Sequence, residues 1–448
     1  MGFMVTISHS SPLLHLQTHT SIVNSSPFFR NIHILHRKIR FISCSALNKP
    51  NNAAAAAAAT TSGSDTLRII FAAGGTGGHI YPAVAIADEL KAINPSMQMQ
   101  ALFVGMPGGM ESAAVTAAGY SFAPVPASPL ARPFFSPYNL FILPFLLINS
   151  LLKCFQLLQE FKPQIVVGTG GFVSFPISLA AALGGVKLVI QEQNAAPGIA
   201  NRVLSLFADK IFLAFDSSIE CFWQKKKCVV CGNPVRSSLK RNVSKEMARQ
   251  HFFPELGDLE GEGKVVLVLG GSLGANAINV KLLNLYSNVL DERKDLFLIW
   301  QTGVEAFHEI ESLVKTHPRL VLTPFLHAMD LAYAAADLII SRSGAMTCYE
   351  ILATGKPCIL IPSPNVAEGH QLKNACLMAK LAGARVITEN ELDSFALRSA
   401  TEEILGDESL MADMSKRALK AAKLDASAEI SKHILSLVNF SVISCECS

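Results

Sequence analysis

The first 64 of the 448 residues contain no aspartate or glutamate. They carry Arg30, Arg37, Lys38, Arg40 and Lys49, are rich in Ser, Thr and His, and close with Asn51-Asn52 and seven alanines, Ala53 to Ala59. No continuous apolar core opens them, which argues against a secretory signal. A basic, acid-free leader suits delivery into an organelle, with a cut between Phe41 and Thr60; a tail without purpose is the bland alternative. Beyond the leader, 33 basic residues stand against 35 acidic ones. That balance excludes a basic nucleic-acid binder. The ten cysteines lack a pattern. Cys228 and Cys231 form one C-x-x-C with no second pair and no nearby His, so a structural zinc site is excluded and free thiols in a reducing compartment are expected.

A dinucleotide fingerprint is missing too. Leu67 to Ala73 is a short apolar run, Gly74-Gly75-Thr76-Gly77-Gly78-His79 follows, and Ala83, Val84, Ile86, Ala87 and Leu90 recur at helical spacing. This reads as strand, glycine turn and helix. The spacing is not G-x-G-x-x-G, and Leu102 to Met110 offers no acid to hold a ribose. The turn is still a candidate anion site, because glycines let amides approach a ligand and a helix N-terminus favours negative charge. A tight turn serving only packing is the alternative. His79 reads either as a helix-start residue bonded locally or as a catalytic group.

Charge is absent from Phe134 to Leu152, where Phe, Leu and Ile dominate and Pro137, Asn139, Pro144 and Asn149 interrupt. The length brushes the threshold for a membrane span. A span would separate two halves that both read as α/β sheet, so a buried helix or a helix lying on a bilayer is preferred, the latter helped by Arg132, Lys153 and Lys162.

What is present is alternation. Strands are expected at Met99–Val104, Phe122–Val125, Ile165–Gly168, Lys187–Ile190 and Lys210–Phe215, with helices between them. Gln191 to Asn194 follow the Lys187–Ile190 strand. Gly232 to Arg236 punctuate the chain. The pattern then restarts: strand Val265–Leu269, glycine turn Gly270 to Asn276, helix Ala277–Leu290, and strands at Leu296–Trp300, Leu320–Thr323, Leu338–Ser341 and Cys358–Ile361. Amphipathic helices fill Glu408–Leu437. The fold class is α/β: two Rossmann-like halves, each opening with strand–Gly-Gly-[Ser/Thr], with a terminal helix able to cross back onto the first. The expected units are a leader at 1–64, a first domain at 65–235 joined by a helix near 425–440, and a second domain at 236–424. Ligands of such sheets lie at the carboxyl ends of the strands. Thr76, His79, Glu192, Asn194, Ser272, Arg342 to Gly344, Glu350, His370 and Gln371 gather there. Ser343 to Thr347 reads as a third anion turn, and Glu350 as a ribose acceptor or a capping carboxylate.

Gly74 to His79 with Pro82, Glu192-Gln193-Asn194, Gly232 to Arg236, Gly270 to Ala275 and Arg342 to Glu350 together resemble, in order, the signatures of the MurG family of peptidoglycan synthesis. The resemblance covers roughly Leu67 to Leu437. It implies an inverting, metal-independent transferase of the GT-B fold, two Rossmann-like domains facing each other across a cleft. Such an enzyme moves N-acetylglucosamine from UDP-N-acetylglucosamine to the 4-hydroxyl of the N-acetylmuramoyl unit of lipid I, a polyprenyl-linked acceptor, to give lipid II. It implies no cofactor. The donor would meet Ser272 at the diphosphate, Leu326 at the uracil, Glu350 at the ribose, Gly344, Ala345, Met346 and Thr347 along its length, and His370 and Gln371 at the sugar. Arg236, Thr76, Gly77, Gly78 and Asn194 also match donor-touching positions. His79 is the expected base, and Glu192 the alternative base or a group that orients the acceptor. The 130–158 patch would approach a membrane surface. Gln191 stands where some members carry His, and Phe172 where Tyr is common. With the leader, the resemblance implies a plastid enzyme at an inner envelope or thylakoid surface. A plastid glycolipid transferase and a catalytically impaired membrane-associated scaffold are the competing readings.

Overall fold

The computed structural model describes residues 66–439 except 76, 241–242, 255–262 and 272. The leader, its alanine run, Thr76, Ser272 and the tail from Phe440 lie outside the described residues. The first sheet is built from β1 (Leu67–Ala73), β2 (Met99–Gly105), β3 (Ser121–Pro124), β4 (Ile165–Gly170), β5 (Lys187–Glu192), β6 (Lys210–Leu213) and β7 (Cys228–Val230) in the order β3-β2-β1-β4-β5-β6-β7. The second holds β8 (Lys264–Leu269), β9 (Leu296–Gln301), β10 (Leu320–Thr323), β11 (Leu338–Ser341), β12 (Cys358–Leu360) and β13 (Arg385–Val386) in the order β10-β9-β8-β11-β12-β13. All pairings are parallel. Each half starts mid-sheet, adds strands to one side, then crosses back and fills the other. The switch points, β1/β4 and β8/β11, open crevices at the strand ends.

These strands form because their apolar residues are continuous. Leu67 to Ala73 is buried except for the partly exposed Arg68, and Val265 to Leu269 is buried throughout. Both faces of each sheet are covered by helices, the condition under which parallel strands read as unbroken apolar runs. The terminal helix Ala426–Leu437 packs on the helix Gly77–Ile93. Ile430, Ile434 and Leu435 join the core around Leu67 and Ile69.

Three local expectations change. The helix expected over Ala277–Leu290 is two helices, Asn276–Leu283 and Tyr286–Glu292. The break turns Tyr286 inward, where it meets Trp300 and accepts the Lys315 amide at 2.9 Å. Strand β5 runs on through Gln191 and Glu192, which pair with Phe212 and Leu213, so parallel pairing carries Glu192 to the strand's last position. The charge-free segment is not a buried helix. Only 11% of its most apolar window is buried over Tyr138–Phe161. Ser150, Cys154 and Leu158, spaced at i, i+4 and i+8, are the one stripe of Leu143–Phe161 that is covered, and the helix packs on its neighbour Ser174–Leu183. Phe135, Phe141 and Phe145 are 88%, 69% and 74% exposed. Pro144 follows directly on a wider helical turn, Tyr138–Ile142, that runs into Leu143–Phe161. Asn139 ties the preceding loop to the helix through Ala131 and Phe134.

Candidate active site

His79 lies in the first turn of the helix that follows β1, and its ring rests on the end of β4. Gly170 and Gly171 have φ of 101° and 81°. A Cβ on Gly170 would lie 2.8 Å from His79 Nδ1, and one on Gly171 only 2.1 Å from the Gly74 carbonyl oxygen. The second glycine pair therefore exists so that the first loop can close on it. His79 Nδ1 faces two acceptors, the Thr169 carbonyl at 3.0 Å and Gln193 Oε1 at 3.1 Å. Nδ1 must carry the proton, which leaves Nε2 as the basic lone pair. Burial pushes the imidazole pKa down, against weaker upward pulls from Glu192, Thr169 and Gln193, and His370 across the cleft adds to the depression.

Glu192 is buried, and all four of its acceptor positions are used. Oε1 accepts the Asn194 amide and its Nδ2, each at 3.0 Å; Oε2 accepts the Gly198 amide at 3.1 Å and Asn201 Nδ2 at 2.9 Å. A carboxylate so engaged has no lone pair for a substrate proton. In this arrangement Glu192 shapes the loop from Asn194 to Gly198. Asn194 is spent likewise, donating to Glu192 and accepting from Asn374 at 3.2 Å. Gln191 is a strut, donating to Asn233 at 2.8 Å and accepting from Gln193.

The first glycine turn already has a side-chain acceptor. Glu111, 3% exposed, accepts the Gly75 amide at 2.7 Å. A Cβ on Gly74 would lie 2.8 Å from its Oε1, and one on Gly109 would collide with Oε2. No acid lies in Leu102–Met110; the acid comes one residue later and takes the amide a phosphate would need. Gly77 begins the helix that carries Gly78 and His79, and Phe172 lies beside Gly75.

The second half presents a helix N-terminus. Gly344 caps Ala345–Thr354 with no side-chain hydrogen bond, so the leading amides have no intrahelical partner. The Met346 side chain is buried in the core with Leu326, leaving its amide as the group that can face a ligand. Glu350 is buried two turns along; Oε2 accepts the Tyr333 hydroxyl at 2.9 Å and Oε1 lies 3.7 Å from Arg236 Nε. Burial raises its pKa, opposed by Arg236 and Tyr333. His370 Nε2 pairs with Glu368 Oε2 at 2.8 Å. Gln371 accepts the Ser363 amide at 2.8 Å through Oε1. Arg342 is tied to Glu389 and to the Ile361 carbonyl.

The halves meet over this site. Asn374, 1% exposed, accepts the Ala195 amide at 2.9 Å and donates to Asn194 Oδ1 and, at 3.1 Å, to the Ser343 carbonyl. Arg236, at the joint between halves, lies over the Tyr81 ring at 3.8 Å. Sequence reasoning missed Glu111, Asn374, Tyr333 and Tyr81. Asn374 had a signal, lying one helical turn beyond His370 and Gln371.

The N-terminal domain profile of glycosyltransferase family 28 matches residues 69–213, and the family's C-terminal domain profile matches 265–432. The chain belongs to glycosyltransferase family 28. Curated relatives support the same placement. The protein of Salinibacter ruber named UDP-N-acetylglucosamine--N-acetylmuramyl-(pentapeptide) pyrophosphoryl-undecaprenol N-acetylglucosamine transferase is 39% identical over 372 residues, covering 83% of this chain and 97% of its own. The proteins of the same name from Flavobacterium psychrophilum and Christiangramia forsetii are 40% and 42% identical, each covering 83% of this chain and 98% of its own. This family 28 chain also superposes on Acinetobacter baumannii MurG with a TM-score of 0.62 at 25% identity, over 83% of this chain and 99% of that one. A UDP-GlcNAc 2-epimerase from Neisseria meningitidis shares the fold alone, with a TM-score of 0.58 at 15% identity over 83% of this chain and 100% of that one. The two-sheet, cleft-facing architecture is the GT-B arrangement.

Proposed function

We propose that this protein moves N-acetylglucosamine from UDP-N-acetylglucosamine to the 4-hydroxyl of the N-acetylmuramoyl unit of lipid I, with inversion, giving lipid II. The observation that carries this is similarity of 39–42%, over 83% of this chain and 97–98% of each relative, to transferases bearing that activity in their names, on a chain whose halves join through Asn374 at the strand ends. His79 Nε2 removes the acceptor proton as the hydroxyl attacks the anomeric carbon; a lowered pKa keeps the imidazole neutral and ready at neutral pH. Negative charge gathering on the departing UDP meets the amides of Gly344 to Thr347 and the guanidinium of Arg236. Glu350 accepts from the ribose, Leu326 borders the uracil, and Gln371 and His370 lie toward the sugar. Gly77, Gly78, Thr76, Asn194 and Ser272 complete the donor surface, Asn194 through the loop that Glu192 fixes.

In this reading, 65–235 receives the acceptor and 236–424 the donor, and the helix near 425–440 belongs to the first domain. The protein associates peripherally with a membrane. Exposed Phe135, Phe141, Phe145, Ile148 and Leu152 with nearby Lys153 support contact through about 130–158. The acid-free leader, 1–64, supports delivery to a plastid and a stromal-side membrane. The deciding experiment incubates purified protein and labelled UDP-N-acetylglucosamine with lipid I or with diacylglycerol. Label in the lipid I product is expected; turnover on diacylglycerol alone would overturn the assignment. Import of a leader–reporter fusion into isolated plastids tests delivery, and a reporter left outside would refute it.

A further inference from the structure

Among the described residues, Arg236 touches both faces of the cleft and is left incompletely paired. Its guanidinium carbon stands 3.8 Å above the ring of Tyr81, on the first half's leading helix. Its Nε is buried without a hydrogen-bond partner, and Glu350 Oε1, on the second half, is 3.7 Å away, beyond bonding reach. An N–H held in that state is costly unless a ligand completes it. The Tyr81 ring is itself seated by design of the loop: a Cβ on Gly77 would lie 3.0 Å from ring carbon Cε2. Gly77, which matches a donor position by resemblance, thus makes room for the ring on which the arginine lies.

We propose that Tyr81 is a positioning residue for the nucleoside diphosphate. It belongs to the acceptor half, yet it holds Arg236 flat in the cleft, with an unpaired N–H turned to the nucleotide beside Glu350. Donor affinity therefore depends on the two halves being closed on one another, because the shelf and the carboxylate come from opposite sides. This rests on the assignment of the donor to the second half.

Isothermal titration of UDP, without acceptor, into the full chain tests it. The unmodified protein and Tyr81→Phe, which keeps the ring face, should bind alike. Tyr81→Leu should weaken UDP about 3- to 30-fold, the span of a cation–π contact. On an Arg236→Ala background the same change should cost less than about 2-fold, since the contact is already gone. In turnover, Tyr81→Leu should raise the donor KM more than it lowers kcat. Equal binding by Tyr81→Leu and the unmodified protein would overturn the inference, as would an undiminished loss on the Arg236→Ala background. Should Tyr81→Leu misfold, Tyr81→Met fills the same space without a ring and reads the same contact. If the unmodified protein binds no UDP, the donor assignment itself is wrong and the inference goes with it.

Discussion

The same device, an apolar strand running into Gly-Gly, ends β1 and β8, yet the two turns have different fates. After β1 the turn is closed by the protein: Glu111 takes the Gly75 amide, and Gly170 and Gly171 press against His79 and Gly74. After β8, among the described residues, no carboxylate accepts from the turn; Gln301 holds the Gly271 carbonyl, and the neighbouring helix start at Gly344 is uncapped by any side chain. A glycine turn is therefore a permissive geometry, and its charge environment decides what it holds. The filled turn fixes a histidine. The open one leaves amides for a diphosphate. The proposed base and most of the proposed diphosphate contacts fall on opposite halves on that account.

The comparison breaks most visibly at His79. His79→Ala should lower kcat about 100- to 10,000-fold with a small change in donor KM, measured by initial rates on lipid I; a loss confined to KM would put His79 with the donor instead. The burial-depressed imidazole also sets a pH signature. The base works when neutral, so the acid limb of kcat/KM should fall below the ordinary imidazole value near 6.5. The unfolded chain binds this proton more readily than the folded one. Stability from this group is thus complete above about pH 6.5 and declines as pH falls beneath it, seen as a falling Tm.

The halves also differ at their surfaces, since the exposed aromatic helix belongs to the first alone. Phe141→Asp with Phe145→Asp should reduce co-sedimentation with anionic vesicles about 100-fold, from two aromatic side chains losing apolar contact. Unchanged sedimentation would move the membrane contact elsewhere. On the donor side, Glu350→Ala should raise donor KM about 10- to 100-fold, the loss of a hydrogen bond to a charged group, with kcat less affected. The smallest effect sharpens the contrast. Glu111→Ala strands the Gly75 amide and should cost about 1–3 kcal/mol by thermal or urea unfolding, whereas Glu111→Gln keeps an acceptor and should cost under about 1 kcal/mol. Glu111→Gln should leave donor KM within about 2-fold; a larger shift would mean that the charge of Glu111, and not only its acceptor oxygen, shapes the first turn.

Much of the site was legible. Strand ends, glycine turns and a helix after Ser343–Thr347 follow from apolar periodicity and punctuation, though the helix begins at Ala345 and not at Cys348 as expected. The segment before Leu152 was legible as apolar, with a buried helix and a helix exposed to a bilayer both left open, because hydropathy does not say which neighbour a helix finds; the structure favours the exposed one. Glu192 looked like a base because an acid at a strand end is suggestive; only the fold brings Asn201 and the Gly198 amide to its other oxygen.

Sequence by itself determined the α/β class, the two restarting halves, the family and the set of polar residues at the strand ends, because each is written in period, spacing or motif. Tertiary structure alone decided which of those residues are free to act. Glu111 reaches Gly75, Asn374 reaches Asn194, and Arg236 reaches both Tyr81 and Glu350 across long stretches of chain. Those meetings depend on strand order and on how two sheets face each other. A one-dimensional pattern gives the residue and its local direction but not the partner that saturates it.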